Sequence, residues 1–428
     1  MTARRTPSPT PSPTDACGCE DYRRGSLTRR SLLGGLALSG GLLAMGSHGE
    51  YAVAAGARPA AAAAGAAGPV LVVLSLRGAA DGLSLVVPHG DPIYYEARPR
   101  IAVPHTSLLV PDAMFGLHPA MAPLVAMWNA GDLAAVHATG MPVANRSHFS
   151  AMAEIEDAAP GSSAHNGWLN RLLGELPGTS VLQGTAMGNQ PPYSLFGAEP
   201  AFVVSSISDA KIGGNEESGR RVASLEHAWQ GQGRLGASVR AALAGTAAFG
   251  PVNDVPAGSP TPTAYPRSTL GRAMSEVSRI VRADIGAEVI TIDQGDWDMH
   301  TDMGNLEWGQ LRSNAGDLAA SIAAFFSDLG PAAQRVTLVT LSEFGRRVRE
   351  NDNWGTDHGH GNVMFVAGAG VRGGYHGNWP GLEDALDADL PVTTDYRSVL
   401  SEVVTRRFGV STAQVFPGFS PTPIGVML

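Results

Sequence analysis

The sequence predicts an α/β fold, a doubly wound and mainly parallel sheet with helices on both faces. Short apolar runs rich in β-branched residues, such as Val70 to Leu76 and Val336 to Leu341, are typical of buried strands. They alternate with segments whose apolar residues recur at helical spacing, as in Leu318 to Leu329. That alternation is typical of parallel sheets with helical crossovers. The 428 residues suffice for one large domain of this kind.

The elements between these runs follow in chain order. Leu83 to Pro88 is predicted as a short strand, and Tyr94 to Pro111 as irregular. The other predicted elements are a helix over His118–Asn129, a strand over Leu133–His137, helices through Ala153–Ile155, Asn166–Leu176 and Leu270–Ile285, a strand over Glu288–Ile292, a strand over Val363–Val366, and a helix over Tyr396–Phe408.

The first 57 residues predict a twin-arginine signal peptide with a disordered leader. The twin-arginine pattern Thr28-Arg-Arg-Ser-Leu-Leu33 opens an apolar run that glycines interrupt, and Ala-x-Ala cleavage motifs follow near Ala54. Because the run is too short to span a bilayer, we expect cleavage, with no stable membrane span afterwards. The twin-arginine translocase would then export the chain to the periplasm, the cell surface or the exterior. The alternative is a single N-terminal anchor.

Composition excludes several classes of function. The formal net charge of −9 leaves no basic surface for nucleic acid. Cys17 and Cys19 precede the twin arginines, so a processed chain has neither disulfides nor thiolate ligands. Residues 58–68 are an Ala/Gly linker, and we expect the α/β domain over 69–428, with a helical insertion or cap at about 205–266.

A first polar cluster follows the strand predicted over Glu288–Ile292. Asp293, Asp298, His300 and Asp302 lie within ten residues and would repel one another unless they bind a cation or take up protons. Carboxylate and imidazole groups suit Zn, Mn, Ca or Mg. In open α/β sheets ligands bind at the carboxyl edge of the strands, where this loop begins. The alternative is a solvated loop of capping aspartates.

A second polar cluster lies between the last two predicted strands. Its metal-ligating side chains are Glu343, Asp357, His358 and His360. Glu343 follows a buried strand directly, where an unpaired carboxylate is costly, so we expect it to bind a metal ion or to pair with Arg346 or Arg347. Because glycines flank His360 and leave it free to point either way, His358 is the better candidate ligand.

Ser147 and His148 lie at a predicted helix start, where free N–H groups and the helix dipole favour phosphate or sulfate. Beside a metal ion, Ser147 is a candidate nucleophile and His148 a candidate to move protons. Arg146 and Arg77 are candidate clamps for anionic oxygens. Asp81, in the turn after the first strand, is a candidate metal ligand. The competing interpretations are a plain helix cap and a turn with a salt bridge.

Five motifs carry a resemblance to a known family. They are Leu76-Arg-Gly-Ala-Ala-Asp-Gly82, Asn145-Arg-Ser-His-Phe149, Asp293-Gln-Gly-Asp-Trp-Asp-Met-His300, Leu341-Ser-Glu-Phe-Gly-Arg346 and Thr356-Asp-His-Gly359. With them the chain after the signal resembles domain-of-unknown-function family fifteen-oh-one, whose members are typically exported by the twin-arginine route and often labelled sulfatases.

That family resembles the alkaline phosphatase/sulfatase superfamily. The resemblance implies a site for one or two metal ions at the carboxyl edge of the sheet, with the nucleophile at a helix start. In that pattern Ser147 would resemble the nucleophile. The residues that would resemble the acids and histidines of the metal site are Asp81, Asp293, Asp298, His300, Glu343 and His358.

We therefore expect an exported metal-dependent hydrolase that acts on a phosphate or sulfate ester, either a small molecule or one attached to a polymer. Phe344 stands where the superfamily has a histidine after the acid, which removes one nitrogen ligand. Two alternatives stay open: an inactive binding or assembly protein on the same fold, and a metal-dependent isomerase or transferase.

Overall fold

Nine strands form one sheet in the computed structural model, which describes residues 68–161, 165–211, 220–230, 233–256 and 264–428. The strands of this sheet are β1 Val70–Leu76, β4 Leu133–Gly140, β5 Gly184–Met187, β6 Ala201–Val204, β7 Val289–Gln294, β8 Val336–Leu341, β9 Asn362–Gly368, β10 Gly374–His376 and β11 Thr394–Asp395. The short strands β2 Val86–Val87 and β3 Gly116–Leu117 form a separate antiparallel pair. The signal peptide predicted over residues 1–57 lies outside the described residues.

The sheet is mainly parallel, as predicted. Its order is β10-β4-β9-β8-β1-β7-β5-β6, and β11 pairs with β4. Strand β9 runs antiparallel to both β4 and β8, whereas the other pairs of this sheet are parallel. The amino end of β9 therefore lies at the same edge as the carboxyl ends of β1, β7 and β8. Consequently the long loop between β8 and β9 turns at the edge where ligands bind in such sheets.

Strand β1 lies in the middle of this sheet, between β8 and β7, and all seven of its residues are buried. Its side chains alternate between the two faces, as the strand pleat dictates. Val70, Val72 and Leu74 pack into one hydrophobic core, and Leu71 and Val73 pack into another. The sheet therefore has apolar layers on both sides, which explains the uninterrupted apolar sequence of β1.

Helices cover both faces of the sheet, which confirms the predicted doubly wound α/β architecture. Helix α9, Thr269–Ala283, contributes Met274 and Val277 to the core on one face, whereas helix α11, Tyr396–Val403, contributes Val399 and Leu400 to the core on the other. The α-helices are α1 Gly82–Leu85, α2 Pro92–Ala97, α3 Val125–Ala130, α4 His148–Asp157, α5 Trp168–Glu175, α6 Arg220–Ala228, α7 Gly233–Ala248, α8 Gly250–Asp254, α9 Thr269–Ala283, α10 Gln310–Leu329, α11 Tyr396–Val403 and α12 Thr412–Val415. Short 3-10 segments span His105–Ser107, Pro119–Leu124, Tyr193–Leu195, Ile207–Asp209 and Gly330–Arg335, and a π-helical turn spans Val404–Phe408.

Two local predictions hold only in part. Of the strand predicted over Leu83 to Pro88, only Val86 and Val87 are extended, as β2, because Leu83 to Leu85 belong to helix α1, whose four residues are all buried. The segment expected to be irregular begins with helix α2, which Asp91 caps by accepting a hydrogen bond from the Ile93 N–H at 3.1 Å. In both places the helix, with four residues in α1 and six in α2, is too short to show a helical period.

Within the part of the chain that the structure describes, no helix is both long enough and apolar enough to cross a membrane.

Candidate metal centre

Three histidines and one aspartate converge at the carboxyl edge of the sheet. The His358 Nε2 atom lies 2.9 Å from Nε2 of both His148 and His300. The Asp298 Oδ1 atom lies 3.5 Å from His148 Nε2, 3.2 Å from His300 Nε2 and 3.5 Å from His358 Nε2. Two triads therefore share Asp298 and His358, one completed by His148 and the other by His300.

Within each triad, these separations fit donor atoms that surround a single cation. Ligands bound tetrahedrally to zinc at about 2.0–2.1 Å stand about 3.3 Å apart. Histidine and carboxylate donors also suit other first-row divalent ions. Among the described residues, His148, Asp298 and His358 form a group whose ligand atoms all lie within 4.8 Å of one another.

The outer nitrogen of each histidine faces a hydrogen-bond acceptor. His148 Nδ1 lies 2.8 Å from Glu343 Oε1, His300 Nδ1 lies 2.8 Å from Asp357 Oδ1, and His358 Nδ1 lies 3.0 Å from the Arg146 carbonyl oxygen. Each Nδ1 must therefore donate its proton outward. In the neutral imidazole, Nε2 then keeps its lone pair, and all three lone pairs are directed into the cluster. This arrangement of outer acceptors is typical of metal-binding histidines.

Each member of the cluster lies in a segment that adjoins the carboxyl edge of the sheet. His148 is the first residue of helix α4, which follows β4, while Asp298 and His300 lie in the loop after β7. His358 lies in the loop between β8 and β9, and that loop returns to the same edge because β9 is antiparallel. In the sheet order β4 and β7 each lie two strands away from β8, on opposite sides of it, and the loops that follow these strands reach across the edge to meet here.

Glu343 and Asp357 were expected to bind metal, but both carboxylates bind the outer nitrogens instead. Glu343 is buried, and its Oε1 atom also accepts a hydrogen bond from the Gly78 N–H at 2.8 Å. Burial opposes ionisation of Glu343, but hydrogen bonds such as that from His148 outweigh it and lower the carboxyl pKa. Burial likewise opposes ionisation of Asp357, and hydrogen bonds from His300 and Asn351 lower its pKa. Both residues orient the histidines rather than join the centre.

The electrostatics of the cluster centre on Asp298. Its partial burial favours the neutral acid, but hydrogen bonds from the three histidines and Arg346 hold its pKa far below the usual range. For His148, burial favours the neutral ring, but bonds to Asp298 and Glu343 raise the imidazole pKa to about 9. Asp298 is therefore held in its ionised form, and its carboxylate attracts protons onto the surrounding histidines or a metal cation.

Asp81 is not part of this cluster. Its two carboxylate oxygens lie 2.5 and 3.1 Å from the guanidinium nitrogens of Arg98, and both side chains are buried. Ser84 Oγ donates a further hydrogen bond to Asp81 at 2.9 Å. The turn with a salt bridge, which was the competing interpretation from sequence, describes this residue, and we leave Asp81 out of the proposed ligand set.

The candidate anion-binding residues are engaged by carboxylates. Arg77 forms ion pairs with Glu156 at 2.6 Å and with Asp293 at 2.8 Å, so Asp293 faces an arginine at the end of β7. Arg146 pairs with Asp389. Ser147 is exposed at the N-cap of helix α4 and its hydroxyl makes no capping hydrogen bond.

The role of His148 as a candidate ligand was missed in the sequence analysis. Phe344, which replaces an expected nitrogen ligand, packs against the rings of both His148 and His358, with centroids 4.9 and 5.0 Å away. The His148 ring therefore lies beside Phe344, the position at which the resemblance led us to expect one more nitrogen ligand. A histidine beside the candidate nucleophile was the available signal, but chain positions 148 and 344 gave no indication that the two residues meet. His360 turns away from the cluster, and its Nε2 lies 2.8 Å from the Met141 carbonyl oxygen.

Comparisons with known proteins give one family and two distant structures. The profile of the family described as "Protein of unknown function (DUF1501)" matches residues 69–416. The phosphonate monoester hydrolase of Agrobacterium radiobacter matches with 11% identity and a TM-score of 0.29, over 70% of this chain and 67% of its own. A 2-O GAG sulfatase, BT1596, matches with 10% identity and a TM-score of 0.25, over 72% of this chain and 65% of its own.

This chain thus spans about two thirds of the length of each solved chain. No curated protein sequence matches.

Proposed function

The chain belongs to the DUF1501 family of proteins of unknown function, and we propose that it is an exported, metal-dependent hydrolase of phosphate or sulfate esters. The observation that carries the proposal is the convergence of three imidazole Nε2 atoms and the Asp298 carboxylate. Without a cation or extra protons, the nitrogen lone pairs would face one another at hydrogen-bond distance, which is unfavourable. Export by the twin-arginine route is proposed from the sequence pattern of residues 28–33.

The proposed ligands are His148, Asp298, His300 and His358, with Glu343 and Asp357 orienting two of the rings. A divalent ion held there supplies Lewis acidity, which polarises an ester and lowers the pKa of a nucleophile. The donor set favours zinc or another first-row ion over calcium or magnesium, because imidazole is a poor ligand for those harder cations.

Ser147 remains the proposed nucleophile. It immediately precedes a proposed ligand, and its hydroxyl is exposed and makes no capping hydrogen bond. Its backbone N–H donates to Asn145 Oδ1 at 3.1 Å, which fixes the turn before helix α4. The N-terminus of this ten-residue helix adds a partial positive charge where an anionic ester would approach.

Arg146 and Arg77 are the proposed clamps for the oxygens of the ester. Each is already paired, Arg146 with Asp389 and Arg77 with Glu156 and Asp293. The Arg146 side chain is 40% exposed, so a substrate anion can reach it and share its donors with Asp389. A guanidinium that is held in place before substrate arrives loses little side-chain freedom on binding.

The proposal is tested by metal analysis and turnover on the purified chain. Metal content is measured by mass spectrometry, and hydrolysis is assayed with an aryl phosphate, an aryl phosphodiester and an aryl sulfate. We expect about one or two divalent ions per chain and turnover of at least one ester. His358→Gln should lose both metal and turnover. His360→Gln is the matched control because the His360 ring bonds to the Met141 backbone carbonyl, outside the cluster, and this variant should keep both.

A chain without metal that is inert on all three esters would contradict the proposal. The binding or assembly alternative is favoured by one contact, since Arg346 donates to Asp298 Oδ1 at 2.8 Å and already supplies a positive charge there. A chain that binds no metal, or one that binds metal without turnover of any ester, would support that alternative.

A further inference from the structure

We propose that Arg346 is the positioning residue that sets the geometry of the cluster, an inference that rests on the proposed metal centre. Its side chain is 1% exposed. Within the described residues, the hydrogen bonds of this side chain go to three segments that converge on the cluster. A backbone bridge also joins Arg346 to His358 itself.

The guanidinium binds the turn after β1 through two carbonyl oxygens. Arg346 Nε donates to the Ala79 carbonyl oxygen at 2.7 Å, and an Nη atom donates to that of Gly78 at 2.6 Å. The N–H of Gly78 in turn donates to Glu343, the carboxylate that orients His148. Arg346 therefore acts on one candidate ligand through this turn.

The same guanidinium binds the loop after β7 and the loop before β9. It donates to the Trp297 carbonyl oxygen at 3.1 Å and to Asp298 Oδ1 at 2.8 Å. Its other Nη atom donates to the Thr356 carbonyl oxygen at 3.0 Å, two residues before His358. Five contacts from one planar group thus fix three segments relative to one another.

Close backbone packing leaves little else between these segments. A Cβ atom on Gly78 would lie 2.5 Å from the Asp298 nitrogen, and one on Gly359 would lie 2.3 Å from the Arg346 carbonyl carbon. Glycine at these positions lets the chains touch directly. Because the two glycines have no side chains that could interlock, the Arg346 guanidinium supplies the directional contacts that fix the three segments relative to one another.

Lysine cannot reproduce this arrangement. An ammonium group has three donors at a single point, whereas the Arg346 guanidinium distributes five contacts over three nitrogens. Arg346→Lys keeps the charge but should leave at least one segment without its contact.

Arg98→Lys is the matched control. Arg98 is also a fully buried arginine, and it binds Asp81 and two backbone carbonyl oxygens, those of Arg347 and Val348. None of its partners is a proposed ligand or an acceptor for a ligand's outer nitrogen. Both substitutions should lower stability, so stability alone does not separate them.

The test measures amide hydrogen exchange and zinc affinity in both variants under conditions where each is folded. For Arg346→Lys we expect faster exchange in peptides covering residues 78–80, 297–300 and 356–358 together, and at least a tenfold weaker zinc affinity. Arg98→Lys should leave exchange in those three peptides and zinc affinity close to wild type.

Equal effects of the two lysine variants, or an unchanged zinc affinity in Arg346→Lys, would overturn the inference. If the wild-type chain binds no zinc, the proposed metal centre fails. The exchange measurement still decides whether Arg346 couples the three segments, and faster exchange in only one of them would refute the coupling.

Discussion

Replacing Glu343 by glutamine should weaken metal binding without removing a ligand. Glu343 Oε1 accepts hydrogen bonds from His148 Nδ1 and from the Gly78 N–H, both at 2.8 Å. An amide oxygen of the same shape can still accept both bonds, but the negative charge that makes the imidazole more basic is lost. Outer partners of this kind change metal affinity by about 10–100-fold, which corresponds to about 1.4–2.7 kcal/mol.

The assay is competition for zinc against a chelator of known affinity, at fixed pH and salt. Glu402→Gln is the matched control. Glu402 is a carboxylate on helix α11 that accepts bonds from four backbone N–H groups, those of residues 424–427. The control should lose stability but keep the wild-type zinc affinity, because none of these contacts reaches the cluster.

An unchanged zinc affinity in Glu343→Gln would refute the assigned role of this carboxylate. Complete loss of binding would also count against it, since a directly bound carboxylate would be expected to behave in that way. We expect an intermediate loss of zinc affinity in Glu343→Gln and a clearly larger loss in His358→Gln.

Three further predictions concern stability. Burial lowers the pKa of His137 to about 4 from an unfolded value near 6.5, so the unfolded chain takes up the proton first as pH falls and stability drops between these two values. In denaturant titrations, His137→Gln should reduce the loss of unfolding free energy between pH 7 and pH 5 by about 2 kcal/mol. An unchanged loss in this variant would contradict the prediction. Gly78 has φ +110°, and an added Cβ would lie 2.5 Å from the Asp298 nitrogen, so Gly78→Ala should lower the unfolding free energy by more than the backbone cost of about 1–3 kcal/mol and should weaken zinc binding. Gly131 has φ +81° with open space around it, so Gly131→Ala should show the backbone cost alone. Adding zinc to the stripped chain at a hundred times its dissociation constant should raise the unfolding free energy by about 2.7 kcal/mol, and no rise in melting temperature would argue against a site formed by the folded chain.

The sequence predicts that the candidate site lies at the carboxyl edge of the sheet, but it does not show which residues there are ligands and which orient them. The apolar runs of β1 and β8 predicted buried strands because both faces of the sheet are covered, and the polar loops after them indicated where ligands would gather. Asp298, His300 and His358 all lie in the cluster as the structure places them. The predicted loops were therefore sufficient to identify these three residues as candidates.

The exchange of roles between Glu343 and His148 could not be predicted, because it depends on two segments 195 residues apart. Chain order shows which groups are available, but not which of them face inward. Asp81 illustrates the same limit, since its partner Arg98 is 17 residues away and nothing in the intervening sequence marks the pair. Short buried helices such as α1 were missed because one turn carries no periodic signal.

The most direct test is a crystal structure of zinc-loaded chain with anomalous diffraction measured on both sides of the zinc absorption edge. The account predicts an anomalous peak about 2.0–2.2 Å from an Asp298 carboxylate oxygen and from His358 Nε2. The third ligand at that distance is Nε2 of either His148 or His300. It also predicts that the three outer nitrogens keep their acceptors. An absence of anomalous density among these four side chains, with Arg346 alone bound to Asp298, would contradict the central claim.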